Sequence, residues 1–140
     1  MSSFSYFRAG LTVVFLLVAP VNLCHWFADD GCLPMLADEG SLTKENLDST
    51  HLHLAALVAA ADLALYVLMI AVSHQAKDLV VLVYLGFMMA ATTVQFTHPF
   101  TGKAPGVFEM PMPLLYAMQC LVFGGYVLDK KMESKKSKNV

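Results

Sequence analysis

Residues 53–73 read HLAALVAAADLALYVLMIAVS, an apolar run interrupted by a single charge at Asp62. About 20 apolar residues cross a bilayer as a helix. The run does not alternate, and it is rich in Ala, Leu and Met, which reads as helix and not strand. The expectation is a transmembrane helix with one acid near its middle.

Three further stretches, about 9–28, 79–96 and 113–128, approach or reach the same length. The 140-residue chain is 57% apolar and 14% charged, with a mean hydropathy of +0.59. A soluble domain carries about 25% charged residues. The expected fold class is therefore all-α: a polytopic membrane protein whose residues 1–128 form a four-transmembrane-helix bundle. Residues 129–140 read as a disordered basic tail. A net charge of −2 gives no reason to expect a nucleic-acid partner. A single basic residue, Arg8, precedes the first stretch, and Pro20, Asn22, His25 and Trp26 stand where a cleavage site would follow. It is expected to stay as a helix and not to be removed as a signal peptide.

Four spans put both ends on one side. Arg8, Lys77, Lys130, Lys131, Lys135, Lys136 and Lys138 fall on that side, and only Lys44 and Lys103 on the other. The positive-inside rule makes the terminal side cytosolic. The acidic loop 28–52 then faces the lumen or exterior. Cys24 and Cys32 lie near that face and are a candidate disulfide in an oxidising compartment; the other reading is free thiols behaving as small apolar groups. The chain ends Lys136-Ser137-Lys138-Asn139-Val140, the K-x-K-x-x pattern of retrieval signals. Lys136 and Lys138 are the candidate signal, against a solvated tail whose lysines only fix topology. The endoplasmic reticulum is the favoured address, with a mitochondrial or plastid membrane left open.

An ionisable group inside a span is a functional-site hypothesis. The helical face of Asp62 also carries His51, Ala55, Val58, Ala59, Leu65, Tyr66 and Met69, and is expected to point inward. Asn22, His25, Gln95, His98 and Gln119 lie toward the outer halves of the other helices. Together with Asp62 and Tyr66 they are the candidate ligand or partner pocket. The competing reading is packing, with interhelical hydrogen bonds worth about 0.6 kcal/mol each. Ala56, Ala60, Ala64 and the Gly86-x-x-x-Ala90 step are expected to let the helices of the bundle approach closely. His51 and His53 stand on different helical faces, so neither a metal nor a cofactor is expected. No phosphate loop, H-E-x-x-H or G-x-S-x-G occurs, so no catalytic residue is assigned.

Ala59-Ala60-Ala61-Asp62-Leu63-Ala64, an acid among small residues on the second helix, resembles the DoxX-like superfamily of small four-helix membrane proteins. The long first loop, the tight link near 74–78 and the basic end fit it, while Tyr66 stands where that group usually has glycine. The resemblance implies an accessory or chaperone-like membrane subunit, or a component of a quinone-linked oxidoreductase. The expected function is a membrane accessory protein, in contact with lipid, that binds or helps assemble a larger membrane complex or client. The alternative is a lipid- or sterol-binding protein, or an isomerase-like enzyme, with its pocket around Asp62.

The lysine asymmetry is tested with protease added to sealed vesicles. The segment after Asp129 should be digested from the cytosolic side, and protection of that segment would overturn the orientation.

Overall fold

A computed structural model describes residues 4–33, 45–97 and 112–139; the side chains of 94–96 and 112 are outside that set. The described residues form four helices and no strand: α1 Tyr6–Phe27, α2 Ser49–Val72, α3 Lys77–Thr97 and α4 Met112–Lys138. Two of them, α1 and α2, are long and apolar enough to cross a membrane.

The helices begin where the chain offers caps, earlier than the apolar runs suggest. Ser5 accepts from the Arg8 backbone N–H and starts α1. Asp48 accepts from the His51 backbone N–H, and the His51 side chain accepts from Asp48 N–H, a reciprocal box that starts α2. A short connection turns α2 into α3, with Ser73 N–H donating to the Met69 carbonyl.

α1 is the centre of the bundle and packs most closely on α4 and α2; α3 touches α2 and α4 more lightly. Two glycines explain the tight crossing of α1 and α4. A Cβ on Gly125 would stand 2.6 Å from the Tyr6 carbonyl oxygen, and one on Gly10 would collide with the Leu121 carbonyl. Backbone therefore lies against backbone at both points. The expected seam at Gly86-x-x-x-Ala90 is corrected: both residues are exposed, and a Cβ on Gly86 would meet nothing within 4 Å. Spacing marks a small-residue stripe but does not say which neighbour uses it.

The core is built on Phe7, Leu11 and Val14 of α1, Tyr66 and Met69 of α2, Val80 and Tyr84 of α3, and Met118 and Val122 of α4. A run of aromatic rings links all four helices. Phe15 stands 6.3 Å from Tyr66, Tyr66 6.4 Å from Tyr84, and Tyr84 5.7 Å from Phe123, centroid to centroid. Such offset and edge-on contacts suit the ring quadrupole.

The reading of 129–140 as a tail without structure is also corrected. α4 continues through Lys138, because its first polar turns are tied to the other helices. Asp129, only 4% exposed, accepts from Ser5 Oγ at 2.7 Å and from the Tyr6 and Phe7 backbone N–H groups at 2.8 and 3.3 Å. It thus closes the open N-terminus of α1, where N–H groups lack partners and the helix dipole favours an anion. Lys77, at the start of α3, sits 3.2 Å from Asp129 and 2.6 Å from Glu133. Lys130 pairs with Asp78 at 2.7 Å, and Tyr126 donates to the same carboxylate.

Burial pushes the Asp129 carboxyl up, but the bonds from Ser5, Tyr6, Lys77 and Phe7 outweigh it and hold it below its ordinary value. Its stabilising effect is therefore present above about pH 4, the unfolded carboxyl value, and is lost as pH falls through the folded value. Asp129→Ala should cost about 1.5–3 kcal/mol, the range for hydrogen bonds to a charged group. Denaturation in mild detergent measures it. Asp129→Asn should flatten the acid limb of the stability profile, and an unchanged limb would remove Asp129 as its source.

Candidate functional site

The structure brings together one part of the expected pocket. Asn22 of α1 is buried, and its Nδ2 donates to Asp62 Oδ2 of α2 at 2.5 Å. Asp62 is half-buried at this crossing. The inward face of α2 is narrower than the sequence suggests. Ala59, Tyr66 and Met69 are buried, but Val58 at the edge of that face is 64% exposed.

His25 does not join Asp62. Its Nδ1 donates to the Gly31 carbonyl at 2.6 Å, within the ring closed by the Cys24–Cys32 disulfide. The two Cα atoms of that bridge are 5.8 Å apart, inside the usual span. Gly31 and Cys32 both adopt positive φ, 60° and 58°. Glycine takes this conformation freely, whereas a Cys there must be held by its surroundings. Asp30 accepts from the Cys32 N–H at 3.0 Å, and the bridge fixes its side chain. Trp26 Nε1 donates across to the Ala56 carbonyl at 2.9 Å. The outer ends of α1 and α2 are thereby clamped, which holds Asn22 against Asp62.

A second polar group lies on the other side of the core. Tyr84 is fully buried, and its hydroxyl lies beside the Gln119 and Tyr66 side chains without a hydrogen bond of regular geometry among the described residues, as does Gln119 Nε2. The two side chains are electrostatic neighbours, with Tyr66 and Asp62 within reach of Tyr84. Gln119 lines an open groove of about 420 Å³ between α3 and α4, with Met88, Met89, Thr92, Thr93, Leu115 and Tyr116. Thr92 and Thr93 donate to the Met88 and Met89 carbonyls of their own helix and leave the groove mainly apolar.

The Gln95 side chain and His98 lie outside the described residues. Lys136 and Lys138 are exposed near the end of α4, where two residues of separation places them about 200° apart around the helix. As a helix, this end does not present them together. No group of three or more potential metal ligands occurs among the described residues.

Sequence reasoning missed Tyr84 and Asp129. Tyr84 follows Val80 by four residues, a helical signal for one buried face. Asp129 carries no local signal, because its partners at Ser5 and Tyr6 are more than 120 positions away.

No family model, curated protein or solved structure matches the chain.

The Asn22–Asp62 pair defines a double-mutant test. Asp62→Leu leaves the Asn22 amide without its acceptor and should cost about 1–3 kcal/mol. Asp62→Asn keeps an acceptor oxygen and should be milder. Asn22→Leu combined with Asp62→Leu should recover part of the loss, since removing both partners leaves nothing unsatisfied. Thermal unfolding in detergent reads the wild type, Asp62→Leu, Asp62→Asn, Asn22→Leu and the double variant. A double variant as unstable as the sum of the singles would show that the pair is not what Asp62 supplies.

Proposed function

We propose that this chain is a four-span integral membrane protein that serves as an accessory subunit, binding or helping to assemble a larger membrane complex or client. The observation that carries the membrane part is the outward face of the bundle. Leu54, Leu57, Val67 and Leu68 of α2 and Leu82 and Met89 of α3 are each more than half exposed. Burying such a side chain is worth about 1.5–3 kcal/mol in water, so this surface suits hydrocarbon. The ion pairs of Lys77, Asp78, Asp129 and Lys130 gather at one end, where a membrane surface would meet them.

The accessory part rests on how the polar residues are used. Asp62 is engaged by Asn22 and lines neither the groove at Gln119 nor the hollow at Lys77. His25 is engaged by Gly31. The Asn22–Asp62 bond joins α1 to α2, as interhelical hydrogen bonds do in membranes, and His25 holds the turn that follows α1. The resemblance of Ala59–Ala64 to the DoxX-like element supports the same role. One observation favours the alternative of a lipid or sterol binder: the groove at Gln119 is mainly apolar, with Gln119 and Tyr116 as polar side chains beside two threonines bonded to their own helix, the usual make-up of a small-molecule site. That site would be centred on Gln119 and not on Asp62.

Carbonate extraction followed by purification in mild detergent tests the proposal. The chain should remain in the membrane fraction and co-purify with a protein partner in fixed ratio. A chain released by carbonate would overturn the membrane reading. A chain retained but carrying only a stoichiometric lipid or sterol would replace the accessory role with the alternative.

A further inference from the structure

The end of α4 divides its charges between two sides. At about 100° per residue, Lys131, Lys135 and Lys138 fall within a sector of about 60°. All three are exposed, and none takes part in an ion pair among the described residues. The acids of this end, Asp129 and Glu133, stand on the opposite side of the helix, where Ser5 and Lys77 hold them. The stripe therefore keeps its positive charge uncompensated, and the attachment of Asp129 and Glu133 fixes the direction in which it points. That direction is away from the bundle. Val127 and Leu128, 60% and 48% exposed, lie on the same side about one turn earlier and belong to the outward apolar surface of α4.

We propose that Lys131, Lys135 and Lys138 form a docking face for the anionic phospholipid headgroups of the adjoining leaflet. The proposal rests on the membrane part of the reading above. Where Val127 and Leu128 meet hydrocarbon, the stripe directly beyond them meets headgroups. A helix rises about 1.5 Å per residue, so the three Cα atoms stand about 4.5, 10.5 and 15 Å past Leu128. The headgroup layer is about 5–8 Å deep on each side of a bilayer. Lys131 is thus inside it and Lys135 just beyond it. Side chains on a helix lean toward its N-terminus, which for α4 lies across the membrane, so each lysine reaches back toward the headgroups. Lys138 acts at longer range, about one Debye length of 8 Å from the charged surface.

This layout fits a charged surface better than a single soluble anion. The lysines are strung over about 10.5 Å of helix and converge on no one point, as the ligands of one phosphate would. An anionic leaflet attracts each of them separately, and such basic segments just beyond a span are bound by it. Lys136 stands on the side of Asp129 and is outside the stripe, which makes it the internal control.

The test places the full chain in phosphatidylcholine vesicles that contain phosphatidylserine. Electron paramagnetic resonance compares how much spin-labelled phosphatidylserine and spin-labelled phosphatidylcholine the protein immobilises. The expected result is a preference for phosphatidylserine of about threefold or more at low salt, falling as salt is added. Lys131→Gln should remove the largest single share, and the triple variant Lys131→Gln, Lys135→Gln, Lys138→Gln most of the preference. Lys136→Gln should leave it in place. Glutamine matches lysine in helix propensity, so circular dichroism should be unchanged in every variant. Equal affinity for the two lipids would overturn the docking face, and so would a preference that survives the triple variant. A loss in Lys136→Gln as large as in Lys131→Gln would overturn the stripe as its source. Displacement of the labelled phosphatidylserine by millimolar inorganic phosphate would give these lysines to a soluble anion instead. Failure of the chain to float with the vesicles would overturn the membrane reading itself, a result separate from any change in lipid preference.

Discussion

The carboxylate of Asp129 is the contact on which the arrangement of the helices depends. It lies near the end of the chain, yet it closes the N-terminus of α1 through Tyr6 and Phe7 and holds Ser5. Through Lys77 it also fixes the start of α3. One anion thus sets the level of three helices at one end of the bundle. Burying a carboxylate is unfavourable unless charge and hydrogen bonds compensate. Here a lysine, a hydroxyl and two backbone N–H groups compensate it. The same contact explains why α4 does not fray where its apolar stretch stops. Glu133, one turn later, extends the attachment through Lys77.

The opposite end is held by different chemistry. The Cys24–Cys32 bridge, the left-handed turn at Gly31 and Cys32, and the Trp26 bond to Ala56 fix how α1 ends beside α2. Between the two ends, α1 meets α4 backbone to backbone at Gly10 and Gly125 and meets α2 through Asn22 and Asp62. α1 is therefore constrained along its whole length. Its Pro20, which removes one backbone donor, is tolerated inside this frame.

The helical class and the number of described helices are legible in the sequence because apolar runs of bilayer length have few other solutions. The boundaries are not, because an apolar run marks where lipid would be and a helix ends where its caps and partners end. Ser5 and Asp48 cap their own helices locally, whereas Asp129 acts on the start of α1 from more than 120 positions away. Asp62 stands out as a lone acid in an apolar run, and one of its expected companions, Asn22, meets it. His25 does not, since its destination depends on the turn at Gly31. The small-residue stripes show the limit most clearly. Gly86–Ala90 has the more regular spacing, but Gly10 and Gly125, 115 positions apart, make the close crossing. Which stripe meets which helix is a property of the tertiary arrangement and not of spacing.

That arrangement is lopsided, and the asymmetry has a consequence. α1 crosses α2 and α4 closely, whereas among the described residues α3 is held more lightly, by Val80 and Tyr84 in the core and by Lys77 and Asp78 at one end. Regions with fewer packed contacts open at lower free-energy cost than the core. The groove at Gln119 and the exposed glycine of α3 both lie on this lightly held side. A molecule that packs on α3 therefore displaces few existing contacts. On the α1–α2 side it would find Asp62 already engaged and the crossing closed. The acid that first draws attention in the sequence is thus engaged inside the α1–α2 crossing, while the groove between α3 and α4 stays open.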